Sequence, residues 1–329
     1  MSNSGRVVYF NGEFVPESEA RISIYDSALM FGDMVFEMTR SFKKVQFRLR
    51  EHLERLYASI KMVRIPIAMT IDEMEKAVYK TIEANEPAFA EDDEHRLMID
   101  VSRGLLSLYE GNVAGVLKGP NVIIADFPLR WTVASMGSLF DKGINAVIPS
   151  QRAIPAYLMD PKIKNRSRLF YMMANIEVSQ VEGDNNWALL LDPDGFIAEG
   201  TGDNFLIIKN GVIISPEGRN ILRGISRAYI MNELAPQLNL KCIEKNIEPY
   251  DVITADEAFM TATPFCILPV TSLNGTQIGD GKMGKLTQLL LDTWGANVGV
   301  DIVEQIKSWA RAQPLRTAQA PSPYSFKGK

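Results

Sequence analysis

Histidine and cysteine are scarce in this 329-residue chain: it holds two of each, His52 and His95, Cys242 and Cys266. Zinc sites are built from these side chains, so a metal-dependent hydrolase of the Cys/His kind is disfavoured and no metal is expected. A serine-protease triad would have to draw on His52 or His95. Two cysteines cannot form a disulfide framework, which makes a reducing cytoplasm the expected compartment. Excess charge of either sign is also lacking. The 35 Lys+Arg and 40 Asp+Glu leave a formal net charge of −5, with no basic run, so there is no electrostatic footprint for nucleic acid. Apolar stretches such as Ala188-Leu189-Leu190-Leu191 are too short to span a bilayer. No charged-then-apolar signal segment opens the chain; Met1-Ser2-Asn3-Ser4-Gly5 leads straight into a strand pattern. Neither a nucleic acid nor a membrane is an expected partner.

What is present is an ordinary globular composition, 46% hydrophobic and 23% charged, long enough for one or two domains. The start reads as a hairpin, Val7-Val8-Tyr9-Phe10 and Glu13-Phe14-Val15 around Asn11-Gly12, whose two turn positions need positive φ. A strand over 35–42 and its partner Val45-Gln46-Phe47 precede a helical pattern over 50–62, with Leu53, Leu56, Ile60 and Val63 spaced for one face. Thr70-Ile71-Asp72-Glu73 is a capping box that opens a second helix. Strands over 96–102 and 121–127 complete one α+β unit. The mixed stretch 128–143 reads as an interdomain connection. A second unit follows: a strand over 146–149, a helix over 168–180, then strands over 187–191, 196–198, 204–209 and 212–215. Helices over 225–235 and 285–294 flank strands over 258–261 and 267–270. From Pro314 onward the composition is that of a disordered tail. The division expected is a small domain over 1–127, a connection over 128–143, a large domain over 144–310 and a tail over 311–329.

Four segments carry residues suited to chemistry. Lys164 sits in Asp160-Pro161-Lys162-Ile163-Lys164-Asn165-Arg166-Ser167-Arg168, which by itself reads as a solvated basic turn. Phe196-Ile197-Ala198-Glu199-Gly200-Thr201-Gly202-Asp203-Asn204 places a carboxylate and a Gly-rich bend between two strands, more special residues than a plain turn needs. Leu222-Arg223-Gly224-Ile225-Ser226-Arg227 puts Gly and Ser at a helix start, where free amides suit a phosphate, although an ordinary N-cap looks the same. Met260-Thr261-Ala262-Thr263-Pro264-Phe265 ends a strand with hydroxyls and a proline, fitting a second phosphate contact or a turn.

In this order and spacing the segments resemble the fold-type IV pyridoxal-phosphate enzymes: branched-chain aminotransferases, D-amino-acid aminotransferases, (R)-selective amine transaminases and aminodeoxychorismate lyases. The resemblance runs roughly over 7–294. It rests on Phe31-Gly32-Asp33-Met34-Val35-Phe36-Glu37, Glu51-His52-Leu53-Glu54-Arg55-Leu56, Lys164 with its downstream helix, the Glu199-Gly200 bend, and Gly224-Ile225-Ser226-Arg227. It implies an α+β fold of a small N-terminal α/β domain and a larger pseudo-barrel domain, a homodimer, and pyridoxal 5′-phosphate as cofactor. Lys164 would bond the cofactor aldehyde and shuttle the proton; a lysine at its ordinary pKa of about 10.4 is almost wholly protonated near neutrality, so it needs desolvation or positive neighbours. Lys162 is its rival, and Lys162, Arg166 and Arg168 are the candidate neighbours. Glu199 would pair with the protonated pyridine nitrogen. Arg55 would contact the phosphate, although an i,i+4 pair with Glu51 is the plainer reading of that residue alone. Gly224, the Ile225 and Ser226 amides, the Ser226 hydroxyl and Thr263 would complete the phosphate cup.

The resemblance loosens at the substrate. Branched-chain enzymes have tyrosines at the places of Phe31 and Arg96, an arginine at that of Met98, and a tyrosine at that of Leu169. Arg96, Met98 and Asp100 share a strand face, so Arg96 either grips a carboxylate or pairs with Asp100 or another acid. The loop Leu105-Leu106-Ser107-Leu108-Tyr109-Glu110-Gly111 lacks the Arg and His with which D-amino-acid enzymes trap a carboxylate. Ser167-Arg168-Leu169 is closer to the lyases. Pro264 removes an amide donor, and Phe265 adds bulk. Phe31, Phe36, Met38, Met98 and Phe265 are the candidates for an apolar pocket or, equally, for core. The reading is a ping-pong aminotransferase for an apolar amino acid or amine and a 2-keto acid, branched-chain-like L-amino acids first. An (R)-amine or D-amino-acid transaminase stands second and a lyase third. A non-catalytic cofactor-binding protein is the contrasting class, against which the retained Lys164 and Glu199 argue.

Overall fold

The computed structural model describes residues 5–113 and 118–312; the expected tail lies, from residue 313 on, outside the described residues. The described chain falls into two compact units, Met1–Leu129 with Ile163–Arg168, and Arg130–Lys162 with Leu169–Lys329.

The first unit is built on a five-stranded antiparallel sheet. Its elements in chain order are β1 (Val7–Phe10), β2 (Glu13–Pro16), α1 (Ser27–Phe31), β3 (Met34–Met38), β4 (Ser41–Phe42), β5 (Val45–Gln46), α2 (Leu49–Val63), α3 (Ile71–Asn85), β6 (His95–Ser102) and β7 (Asn121–Pro128), with sheet order β2-β1-β7-β6-β3. Asn11 and Gly12 take the positive φ of the expected hairpin turn. Thr70 and Glu73 form the expected reciprocal cap, the Thr70 amide donating to Glu73 at 2.7 Å and the Glu73 amide to the Thr70 hydroxyl at 3.3 Å. Leu53, Leu56 and Ile60 on α2 and Met74 and Val78 on α3 bury against Val35, Leu97, Ile99, Val101 and Ile124 of the sheet.

The second unit contains α4 (Arg130–Val133), α5 (Leu139–Lys142), β8 (Ile144–Val147), α6 (Leu169–Val178), β9 (Asn186–Leu191), β10 (Ile197–Gly200), β11 (Asn204–Lys209), β12 (Val212–Ser215), α7 (Ile225–Tyr229), α8 (Ala235–Gln237), β13 (Lys241–Glu244), α9 (Pro249–Ile253), β14 (Glu257–Ala262), β15 (Cys266–Leu273), β16 (Thr276–Gln277), α10 (Lys285–Val298) and α11 (Ile302–Ala312). A π-helical turn, Ile230–Leu234, makes α7 and α8 continuous. The sheet order is β10-β9-β8-β15-β14-β11-β12-β13, and β10 also pairs with β11. That extra pairing closes six strands into a barrel. The fold is α+β, as expected.

Two differences from the sequence reading have plain causes. Residues 128–143, expected as an interdomain connection without clear periodicity, carry regular structure. They form short helices that bury Leu129, Val133, Met136, Leu139 and Phe140, because apolar residues in turns too short to show a helical period still collapse. And Ile163–Arg168 belongs to the first unit, since its backbone pairs with β3 there: Phe36 N–H donates to Lys164 O and Arg166 N–H to Met34 O, each at 2.9 Å.

His95 is fully buried at the start of β6, with Nδ1 2.8 Å from Asp126 Oδ2, Nε2 2.6 Å from Glu86 Oε2, and its ring stacked on Phe89. Burial pulls its pKa down, but hydrogen bonds and charge from Asp126 and Glu86 outweigh that and raise it above the ordinary value. A histidine with a raised folded pKa contributes stability that is complete below about pH 6.5 and is lost as the pH rises through the folded value. His95→Gln is therefore expected to be less stable than the parent at pH 5.5, and the gap to narrow by pH 8.5. Urea midpoints measured for both proteins across that range check this; a gap that widens with pH contradicts the paired imidazolium.

Candidate active site

Side chains alternate along a strand, so the sheet of the first unit has a core face and an opposite face. Phe36, Met38, Arg96, Met98 and Asp100 share the opposite face, with Phe36 directly across from Asp100 and Met38 across from Met98. The segment carrying Lys164 lies along β3. Lys164 Nζ sits 4.6 Å from the centre of the Phe36 ring, the Arg166 guanidinium 3.7 Å and that of Arg168 5.0 Å. Arg166 also holds Asp100, at 2.9 Å through Nε and 2.8 Å through Nη2. Arg96 is buried with Nη2 3.7 Å from Met38 Sδ. Of the options open for Arg96, the pair with Asp100 is thus made by Arg166 instead. Lys162, the rival lysine, belongs to the second unit and is tied to Asp160 at 2.7 Å.

Glycine is required where α1 meets this segment. Gly32 caps α1 with φ +68°, and a Cβ there would come within 2.5 Å of Ser167 Oγ. That hydroxyl donates to the carbonyls of Phe31 and Gly32, each at 3.2 Å. The Phe31 side chain itself is 64% exposed.

On the core face, Glu37 is wholly buried and clamped. Arg55 donates through Nε at 2.6 Å and Nη2 at 2.8 Å, and His52 Nδ1 lies at 2.7 Å. Arg55 therefore does not pair with Glu51, which is held by Arg48. Burial opposes the Glu37 charge, yet Arg55 and His52 together hold its pKa well below the carboxylate range. Burial holds His52 below its ordinary value, so a neutral imidazole donates to Glu37. One turn on, Ser59 Oγ donates to the Arg55 carbonyl at 3.0 Å and accepts from Lys164 N–H at 3.2 Å. Lys164 and Arg55 are in this way fixed to the same stretch of α2.

In the second unit, Glu199 lies where β10 and β11 close the barrel, paired in register with Asn204. It is buried, and three neutral groups donate to it. Tyr171 Oη donates to Oε1 at 2.9 Å, while Asn204 Nδ2 and Leu222 N–H donate to Oε2, each at 3.0 Å. Asp203 packs over Gly200, where a Cβ would meet its Oδ1 at 2.2 Å; burial first, and Glu199 second, push its pKa well up. Asn204 also donates to the Leu222 carbonyl at 2.9 Å, two residues before Gly224 opens α7. No side chain caps α7, and uncapped amides such as those of Ile225 and Ser226 suit an anion. Ser226 is buried. Thr263, Pro264 and Phe265 form the turn between β14 and β15, which Cys266 closes at φ +64°. The Phe265 ring is buried edge-on against Trp187 at 5.7 Å. Leu169, at the place of the missing tyrosine, is 74% exposed. Sequence reasoning missed Glu37, His52, Ser59 and Tyr171, although Glu37 and His52 stand inside the motifs it singled out.

Removing one partner from a buried ion pair leaves an uncompensated charge and costs about 3–5 kcal/mol. Glu37→Ala is expected to lose that much in denaturant unfolding, whereas half-exposed Glu51→Ala loses under about 1 kcal/mol. Equal losses would show that Glu37 does not anchor Arg55.

The first unit thus offers a lysine suited to an electrophilic carbon and an arginine suited to an anion. The second offers helix amides suited to an anion and a buried carboxylate suited to a cationic ring nitrogen. Among the described residues no cluster of His, Cys, Asp and Glu could hold a metal ion, and no helix is long and apolar enough to cross a membrane. A family model for amino-transferase class IV matches residues 34–273. A putative branched-chain-amino-acid aminotransferase of Methanocaldococcus jannaschii is 34% identical over 299 residues, 88% of this chain and 98% of that protein. The branched-chain-amino-acid aminotransferase of Escherichia coli K12 is 32% identical over 287 residues, 85% of this chain and 89% of that one. A solved branched-chain amino acid aminotransferase of Thermoproteus uzoniensis, with norvaline, superposes with a TM-score of 0.77 at 27% identity, covering 93% of this chain and 97% of the other. Another solved branched-chain amino acid aminotransferase, with pyridoxamine 5′-phosphate, gives a TM-score of 0.79 at 28% identity, covering 89% of this chain and 94% of that one. The chain belongs to the class IV aminotransferases.

Proposed function

We propose that this enzyme moves the amino group of a branched-chain L-amino acid onto a 2-keto acid, with pyridoxal 5′-phosphate as cofactor and a ping-pong cycle. The buried Glu199, held by three neutral donors, is the observation that carries the cofactor assignment: a carboxylate so placed matches a protonated pyridine nitrogen. When bound, the cofactor supplies an electron sink for the pair released as the substrate Cα–H bond breaks. Glu199 keeps the proton on the ring nitrogen. Lys164 would hold the cofactor through its aldehyde group, and its Nζ would accept the substrate Cα proton and deliver it one carbon away. Arg55, the Ile225 and Ser226 amides, the Ser226 hydroxyl and Thr263 bind the phosphate, Gly224 opening the helix without a side chain. Phe36, Met38 and Met98 take the branched side chain and Arg96 the substrate carboxylate. The named activity of the relatives supports the branched-chain choice.

A homodimer and a cytoplasmic home complete the reading. On α6, Leu169, Met173 and Ile176 are exposed at helical spacing, as are Tyr157 and Leu158 before it, apolar area that a second copy would cover. Cys242 and Cys266 are free thiols, in keeping with a reducing compartment.

The test is a single turnover of the cofactor-loaded protein with L-leucine, D-alanine or (R)-1-phenylethylamine, followed by the cofactor's visible absorption. Loss of the visible band with L-leucine alone is expected. Conversion by D-alanine or the (R)-amine instead would assign the opposite stereochemistry. Lys164→Ala is expected to bind the cofactor without the lysine-linked band and to lose at least about 10²–10⁴-fold in turnover. A variant that keeps the band would return the role to Lys162.

A further inference from the structure

The tyrosine that branched-chain enzymes carry five residues after the lysine is replaced here by Leu169, whose side chain is exposed. Two positions further along α6 stands another tyrosine. Tyr171 is 8% exposed, and its hydroxyl donates to Glu199 Oε1 at 2.9 Å. Its ring is not free to swing, because it is packed in the apolar cluster that includes Ala174, Leu190 and Ala198. The second carboxylate oxygen is taken from another side, by Asn204 and the Leu222 amide. The carboxylate plane is thus fixed by donors on both oxygens, and on Oε1 the donor is a phenol. A phenol donating to a carboxylate is a charge-assisted hydrogen bond, stronger than one between neutral groups. The other acid at this place, Asp203, has its pKa pushed well up by burial first and by Glu199 second.

We propose that Tyr171 is a positioning residue for the transamination: its hydroxyl fixes the Glu199 carboxylate in the orientation that receives the ring nitrogen of the cofactor. The proposal rests on reading Glu199 as the partner of that nitrogen. It makes a claim that packing alone does not: the hydroxyl matters only to a cofactor that has a ring nitrogen.

Tyr171→Phe keeps the ring and removes the donor. The full-length protein would be freed of cofactor and titrated with pyridoxal 5′-phosphate and, separately, with its 1-deaza analogue, in which a carbon replaces the ring nitrogen. Quenching of tryptophan fluorescence gives each Kd, and a urea midpoint of the apoprotein reports folding. The loss of a hydrogen bond to a charged group predicts that Tyr171→Phe weakens the natural cofactor roughly tenfold to a hundredfold, while the deaza analogue changes by less than about twofold and the midpoint holds. Equal weakening of both cofactors, with or without a lower midpoint, overturns the proposal in favour of a packing role; no change in either also overturns it. Glu199→Gln run in parallel separates the two readings. If it leaves the parent's preference for the natural cofactor over the analogue intact, the assignment of Glu199 fails. If it abolishes that preference and Tyr171→Phe does not reduce it, only the role of Tyr171 fails.

Discussion

The pairing of β10 with two neighbours at once is the constraint on which the second unit depends. Without the β10–β11 contact the strands would form an open sheet with two ordinary edges. With it, six strands close, and the chain must reverse within Gly200-Thr201-Gly202-Asp203. A Cβ at position 200 would meet the Asp203 carboxylate at 2.2 Å, so a larger residue there would have to displace that side chain. The tightness of that reversal is what places Glu199 and Asn204 side by side, and Asn204 in turn ties the bend to the strand of chain leading into α7.

Each unit buries a carboxylate, and the two are compensated by opposite means. Glu37 is neutralised inside its own unit, by a bidentate arginine with a neutral histidine beside it, so its charge is spent on structure. Glu199 is met by a phenol, an amide and a peptide N–H. Neutral donors stabilise a negative charge without cancelling it. The difference explains why one glutamate is read as scaffold and the other as chemistry, although both are buried.

Local signals made much of this legible. Asn11-Gly12 and the Thr70–Glu73 box determine their turns by backbone requirements that do not depend on the rest of the chain, and both stand where expected. The α2 stripe could be read because its period is unbroken for fifteen residues. What could not be read depends on long-range pairing. The strand Lys241–Glu244 runs parallel to Val212–Ser215, and its partly exposed Lys-Cys-Ile-Glu has no alternation to announce it. The Glu37 partner of Arg55 is hidden for the same reason: Glu51 is near in sequence, whereas Glu37 is near only once β3 lies under α2. Tyr171 is not announced by the family spacing, which puts a tyrosine at position 169, because a helix presents a different face two residues on.

The interleaving of the two units has a consequence for synthesis on the ribosome. The strip Ile163–Arg168 lies along β3, yet it is made after thirty-odd residues that belong to the other unit. A nascent chain that has emerged only as far as Leu129 can assemble the five-stranded sheet and pack α2 and α3 upon it, but the outer edge of β3 has no partner then, and Phe36 lacks the cations that cover it. The first unit therefore reaches its final form only when translation is well into the second, and a fragment cut at residue 129 carries an open strand edge of the kind that recruits neighbouring chains.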